Sequence, residues 1–390
     1  MTMTEFDQRA IMHREMLHQN AEVGFNLTKT SGYIVSKLKN AGYTPVVIGK
    51  GSIFAKTSGS FEKYILLRAD MDALPISEET NLPFKSNNGC MHACGHDMHA
   101  AMLLTAAERI SEQSNNKNGV IFLFQAAEES LKGARDVIDS GMLDKYNVCY
   151  AITVHVVLGL KYKPGTLLLP PSGTVAPGAE VIEIEIEGKS SHGSTPHLGR
   201  SSLYPAIDII EMTNRMLLNE FHTTEIRHIN WGMMCSGKEA NIVAESTKLK
   251  ANFRYFDTQV REKAISRIRV ITETVSKLHG CKSQFKLIGG CPPLSNDADT
   301  LSKVEKIIKS NSFDYVSVSE IKKSNNDKQL GGSEDFAHYT KKYPSALISI
   351  CAGNESTGHP YTLHTAKTDF HIDALKSGWS LFYALANELF

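Results

Sequence analysis

Residues 92–99 read His-Ala-Cys-Gly-His-Asp-Met-His, a thiol, three imidazoles and a carboxylate within eight positions. Thiolate and imidazole together suit Zn²⁺ or a similar first-row divalent ion. Cys94 and His96 would offer two ligands from one tight turn, with Gly95 permitting an unusual backbone between them. The competing reading of this pair is a buried cysteine beside a helix-capping residue. Upstream lies an acidic strand end, Leu67-Arg68-Ala69-Asp70-Met71-Asp72, and downstream a paired carboxylate, Gln125-Ala126-Ala127-Glu128-Glu129. Such a spread is expected when loops at one edge of a sheet converge on a metal.

Adjacent carboxylates at a strand end point in different directions. One of Glu128 and Glu129 can therefore bind a metal while the other acts as general base toward a water made acidic by the cation. A solvated loop is the plainer reading of such a pair. His155 ends a buried run, where a histidine is more often a satisfied core residue. His364 is equally ambiguous alone. Gly331-Gly332-Ser333-Glu334-Asp335-Phe336 reads as a helix start, with Ser333 as cap and acids in the first turn. Ser191-His192-Gly193-Ser194-Thr195-Pro196-His197 reads as a polar loop between a strand and a helix, Asn241 as a turn residue and Arg254 as a surface cation. No Gly-x-Ser-x-Gly elbow lies near a suitable histidine, and no Gly-rich phosphate signature is present.

The first third of the chain alternates helix and strand. Helices are expected at Glu5–His18, Thr30–Asn40, Asp97–Ser111 and Lys132–Ser140, and buried strands at Tyr64–Arg68, Val120–Phe124 and Cys149–Val154. That order implies a mostly parallel sheet covered by helices on both faces. After Pro177 the pattern changes: residues 181–187, Val-Ile-Glu-Ile-Glu-Ile-Glu, alternate as a strand with one wet face does. A helix (Ser202–Leu218), two strands (Glu225–Met233, Thr247–Phe256), a helix (Val260–His279) and a strand (Lys282–Ile288) complete a split βαβ sandwich. Helices Thr300–Ser310 and Glu334–Lys341, strand Ala346–Ile350 and helix Asp373–Leu389 then resume the first pattern. The expected fold is thus α/β with an inserted α+β (βαββαβ) domain at 178–290, the larger domain being split over 1–177 and 291–390.

Of 390 residues, 42 are Lys or Arg and 42 Asp or Glu, so no charge excess points to nucleic acid. The longest apolar stretch, Val148–Leu160, is too short to span a bilayer. The start, Met-Thr-Met-Thr-Glu-Phe-Asp, has neither a basic nor an apolar block. Seven scattered cysteines argue against a disulfide framework. A cytoplasmic protein is expected. Lys322–Lys328 reads as a surface loop.

Taken together, Arg68–Pro75, Met91–His99, Phe124–Glu129 with Gly133-Ala134, His155, Ser191–Gly199 and Ser333–Phe336, with His364 near the end, resemble the aminoacylase-type di-metal amidohydrolases. That group contains hippurate hydrolases and indole-acetyl-amino-acid hydrolases and is related to carboxypeptidase G. The resemblance covers nearly the whole chain. It implies a di-metal exopeptidase-like catalytic domain holding two divalent ions, Zn or Mn, through Cys94, His96, Glu129, His155 and His364. It casts Glu128 as general base and Asp72 as the group orienting a ligand histidine. It implies a homodimer formed through the inserted domain, whose His192 reaches the partner's site and stabilises the oxyanion. Asn241 and Arg254 would hold the substrate. The activity implied is hydrolysis of an amide bond in N-acyl amino acids or small peptides. A di- or oligopeptidase of the same fold is the alternative, and an inactive metal-binding scaffold a further one, although Glu128 and His192 are both present. Ala126, Ser130 and Ala244 stand where the family has Pro, Gly and Pro, and wider relatives have Asp at the position of Cys94.

Overall fold

The computed structural model describes residues 3–113, 118–222, 224, 226–317 and 332–390; the segment Lys322–Lys328 lies outside them. The described chain divides into two compact units, one drawn from residues 3–175, 295–317 and 335–390, the other from 176–294 and 332–334.

The first unit is built on a sheet of eight strands: β1 (Val46–Ile48), β2 (Ser52–Lys56), β3 (Tyr64–Asp70), β4 (Gly119–Gln125), β5 (Val148–Val157), β6 (Leu167–Leu168), β13 (Tyr315–Val316) and β14 (Ser345–Cys351). Their order is β1-β2-β4-β3-β5-β14-β6-β13. The centre, β4-β3-β5-β14, is parallel, and β2 joins it antiparallel along β4. Every residue of β3, β4 and β14 is buried, as strands covered on both faces require. Helix α1 spans Glu5–Gln19, α2 Thr28–Asn40, α3 His96–Ser111, α4 Gly133–Asp139 and α7 Ala298–Ser310. Helix α3 is buried at every position from His96 to Ala107 because α1 and the C-terminal helix Asp373–Glu388 pack on it. The C-terminal helix approaches α3 so closely that a Cβ on Gly378 would fall 2.1 Å from the sulfur of Met102. Phe122, Phe124 and Phe382 are fully buried in this core, each contributing roughly 1.5–3 kcal/mol.

The second unit is an antiparallel sheet of β8 (Gly178–Glu187), β9 (Ile226–Ser236), β10 (Ser246–Tyr255) and β11 (Lys282–Cys291), in the order β11-β8-β10-β9. Two short strands, β7 (Gly173–Ala176) and β12 (Leu294–Asn296), flank it in sequence. Helices α5 (Leu203–Glu220) and α6 (Thr258–Leu278) lie on one face. Ile182, Ile184, Ile186, Leu249, Ala251 and Phe253 point to those helices. On the other face Lys248 meets Glu185 at 2.6 Å and Lys250 meets Glu183 at 3.4 Å. Strict alternation in β8 and β10 thus sorts one apolar face from one charged face.

Two local expectations are corrected. The helix expected from Glu334 begins at Ala337, with Phe336 before it. Ser333 is no cap, since its hydroxyl donates to the carbonyl of Pro177 at 2.6 Å. The Asp335 carboxylate is taken by buried side chains instead of the helix amides. The hairpin of β1 and β2 was absent from the expected elements; it is too short to show a period.

Candidate active site

The carboxyl ends of parallel strands β3, β4 and β5 meet the amino end of α3. Strand β3 ends at Asp70, β4 at Gln125, and β5 carries His155 near its end. Gly95 caps α3 at φ +88°, and a Cβ there would fall 2.3 Å from Val156. Only glycine lets Cys94 and His96 turn in from adjacent positions at that spot. Ala127, Leu131 and His364 also adopt positive φ, of 59°, 54° and 63°. Such strain clusters where side chains must be aimed. The amide of His364 is held by the carbonyl of Ala93 at 2.9 Å.

Six of the expected residues converge. Cys94 Sγ lies 3.7 Å from His155 Nε2 and 3.3 Å from His364 Nε2. Glu129 Oε1 lies 3.5 Å from His364 Nε2 and 3.9 Å from His96 Nε2. Glu128 Oε2 lies 3.9 Å from His96 Nε2. Cys94 groups with His96 and His155 on one side and with Glu129 and His364 on the other. Donor atoms about 2.0–2.3 Å from one tetrahedral ion would sit roughly 3.3–3.8 Å from each other, so the spacings suit coordination. Two buried donor atoms, His96 Nε2 and Glu129 Oε1, have no hydrogen-bond partner. An orphaned buried polar atom is costly, and both face this cluster. The sulfur, nitrogen and oxygen donors therefore fit divalent metal.

Electrostatics agree. Burial pushes the Cys94 thiol up and raises the Glu129 carboxyl, so neither readily carries its charge without a nearby cation. Asp70 goes the other way: burial opposes its charge, but His96, His99 and Arg68 beside it hold it well below the usual carboxylate range.

Surrounding groups fix the donors. His96 Nδ1 donates to the main-chain carbonyl of Asp72 at 2.8 Å. The Asp72 carboxylate also flanks that nitrogen, with Oδ1 at 3.5 Å, and accepts the amides of Glu128, at 3.0 Å, and Glu129, at 3.3 Å. His155 Nδ1 donates to the carbonyl of Val156 at 2.7 Å, turning Nε2 inward. His99, one of the three imidazoles of the octet, is in none of the groups built on Cys94 or Glu129. Its Nε2 accepts from the Val156 amide at 2.9 Å, so its Nδ1 carries the proton given to Asp70 at 2.6 Å. Asp97 bonds to His18 and Arg14 of α1. His92 is buried with both ring nitrogens unpartnered, and burial lowers it to about 3.

The second unit carries His192, Asn241 and Arg254. His192 and Asn241 are exposed on neighbouring loops: His192 bridges Ile242, and the Gly193 amide donates to the Asn241 carbonyl at 2.7 Å. Arg254 is elsewhere. It sits one residue from the far end of ten-residue β10, a strand roughly 30 Å long. Its guanidinium bonds to Asn252 and Ser333. Within this unit His192 and Asn241 are brought together and Arg254 is not.

Four residues that motif reading left without a part, Arg68, Gln125, Asp335 and Tyr339, form a buried network under the Glu pair. The one sequence signal was an arginine inside an otherwise apolar strand.

A mostly parallel α/β sheet with thiol, imidazole and carboxylate donors at its strand ends defines an α/β protein with a site for divalent metal. The model of peptidase family M20/M25/M40 matches residues 66–388, and this chain belongs to that family. It is 30% identical over 389 residues to the N-acetyl-L-cysteine deacetylase of Bacillus subtilis strain 168, covering 97% of this chain and 88% of that protein. It is 29% identical over 394 residues to thermostable carboxypeptidase 1 of Saccharolobus solfataricus, covering 99% and 95%. A Bacillus subtilis dinuclear metal-binding peptidase of the M20 family superposes with a TM-score of 0.76 at 26% identity, covering 98% of this chain and 97% of that one. The motif resemblance is borne out along the chain. No described helix is long and apolar enough to cross a membrane.

Proposed function

We propose that this chain cleaves the amide bond of N-acyl amino acids, with two divalent ions, Zn or Mn, held by Cys94, His96, Glu129, His155 and His364. The observation that carries this reading is the pair of orphaned buried donors, His96 Nε2 and Glu129 Oε1, facing Cys94 and Glu128. The sharing of Cys94 between two donor groups supports two ions. When bound, such ions acidify a water and polarise the scissile carbonyl.

Glu128 then does the proton work. It takes the proton of the attacking water and returns it to the leaving amine. Its amide is fixed by Asp72, as is that of Glu129, so the pair keeps its division between base and ligand. His192 donates to the carbonyl oxygen as negative charge develops there. Asn241 and Arg254 hold the substrate's carboxylate or backbone. That His192 lies by the loop before β10 and Arg254 near the other end of that strand supports a homodimer pairing through residues 178–290 in which the partner supplies His192. The setting is cytoplasmic.

Likeness to a carboxypeptidase favours a second reading, hydrolysis of di- or oligopeptides. One experiment tests both. The metal-stripped protein is reloaded with Zn²⁺ or Mn²⁺ and offered N-acetyl amino acids, hippurate, dipeptides and longer peptides. Turnover of acyl amino acids only on reloading is expected. Preference for peptides selects the second reading, and full activity in protein shown metal-free by elemental analysis overturns both.

A further inference from the structure

Beneath the Glu pair lies an ionic cluster built on Arg68 that contains none of the proposed metal ligands, although its Asp70 lies 3.8 Å from His96 Nε2. From it we infer that Asp335, clamped by Arg68, is a positioning residue that decides which oxygen of Glu128 receives the proton. The inference rests on the reading of Glu128 as general base.

Arg68 lies on β3 and is fully buried. A guanidinium there is costly unless every side is paired. Its Nη1 donates to Asp70 Oδ2 at 2.8 Å, its Nη2 to Asp335 Oδ1 at 2.9 Å and its Nε to Gln125 Oε1 at 3.1 Å. Gln125 in turn donates through Nε2 to both Asp335 oxygens, at 2.8 and 3.0 Å. The amide of Ala134 donates to Asp335 Oδ2 at 2.8 Å. The Asp335 side chain is therefore held from three directions.

The consequence falls on its main chain. With its carboxylate fixed, the amide of Asp335 is fixed too, and it donates to Glu128 Oε1 at 3.3 Å. The other oxygen, Oε2, is the one beside His96 Nε2, at 3.9 Å. A carboxylate that can spin presents either oxygen, or neither, to the reacting water. Holding Oε1 leaves Oε2 aimed at the donor cluster and removes that loss. Apolar residues of equal volume could fill such a space without loss of stability. The cluster's specific product is an orientation.

The test is a double-mutant comparison on the metal-loaded full chain, reading kcat, KM, metal content and thermal midpoint. Asp335→Asn keeps the volume but sets a donor against the donors of Gln125, Arg68 or Ala134. It should lower kcat by about 10–100-fold, leave KM within about twofold, and keep wild-type metal content. Added to Glu128→Gln, it should cost nothing further, because there is no base left to aim. A role in stability alone would lower the thermal midpoint and metal content together without a selective loss of kcat, which overturns the inference. So does a loss of equal size in the Glu128→Gln background. If Asp335→Asn does not fold, Tyr339→Phe serves: it deletes the hydroxyl that donates to Gln125 Oε1 at 3.0 Å. A severalfold kcat loss, absent in the Glu128→Gln background, is then expected, and unchanged kcat overturns the inference. Glu128→Gln that itself retains wild-type kcat would remove the base reading, and the inference with it.

Discussion

His96 donates through Nδ1 to the main-chain carbonyl of Asp72 at 2.8 Å, and that bond turns its Nε2 toward Glu129 and Glu128. Asp72 thus serves the site twice, by its carbonyl toward the histidine and by its carboxylate toward the amides of the Glu pair. Support of this kind sets the tautomer and aim of a metal-binding histidine. It also makes the two glutamates separable by mutation. Glu128→Gln should lower kcat by roughly two to four orders of magnitude with metal content unchanged. Glu129→Gln should instead lower metal occupancy. Elemental analysis beside steady-state kinetics checks the pair, and equal metal loss in both would erase the division of roles.

The turn that presents those glutamates tolerates no added atom at one point. A Cβ on Gly133 would fall 1.7 Å from the carbonyl oxygen of Ala126 and 2.8 Å from Gln125 Nε2. The first neighbour is backbone, so the turn itself would have to move. Gly133→Ala should cost about 3 kcal/mol and lower metal content as Glu129 shifts. Gly32, inside α2, has nothing within 4 Å of its Cβ position and an ordinary backbone. Gly32→Ala should stabilise by about 0.5–1 kcal/mol. Urea unfolding of the two variants gives the comparison, and a stable Gly133→Ala protein with full metal would refute the packing argument.

How legible these arrangements were in the sequence depends on how local each one is. The octet around Cys94 declares itself because ligand types crowd a single turn. The alternation in β8 and β10 declares itself because one sheet face is wet. His155 and His364 are silent alone; they acquire meaning from Cys94, which lies 61 and 270 positions away from them. Arg68, Gln125 and Asp335 were not legible, since their role is to satisfy one another across 267 positions of chain. The helix start expected at Ser333 failed for the same reason, as tertiary partners outbid local capping.

Stability should respond to pH through His18. Burial opposes its charge, but Asp97, 2.8 Å from Nδ1, and Glu78, 3.1 Å from Nε2, outweigh it and raise the imidazole to about 9. A raised folded-state value means the stabilisation is complete below the ordinary value near 6.5 and is lost as pH rises through about 9. The size is on the order of 3 kcal/mol. His18→Gln should remove this contribution, so wild type and variant should differ most at pH 6 and converge above pH 9. Denaturant unfolding across that range measures it, and a constant gap would exclude the linkage.

The last expectation concerns two copies of the chain. His192 and Asn241 sit at the loop end of β10 and Arg254 at its other end, so one unit does not gather the three residues. If the partner supplies His192, His192→Ala homodimers should fold and bind metal yet turn over little substrate. Glu128→Gln homodimers should do the same for the other reason. Subunit exchange between them should restore activity, because in a heterodimer one of the two sites has both an intact Glu128 and an intact His192. Recovery should approach half the wild-type activity per heterodimer, read after separating the exchanged species by a tag on one chain. Verified heterodimers without recovery would mean that His192 acts within its own chain or is not the oxyanion donor.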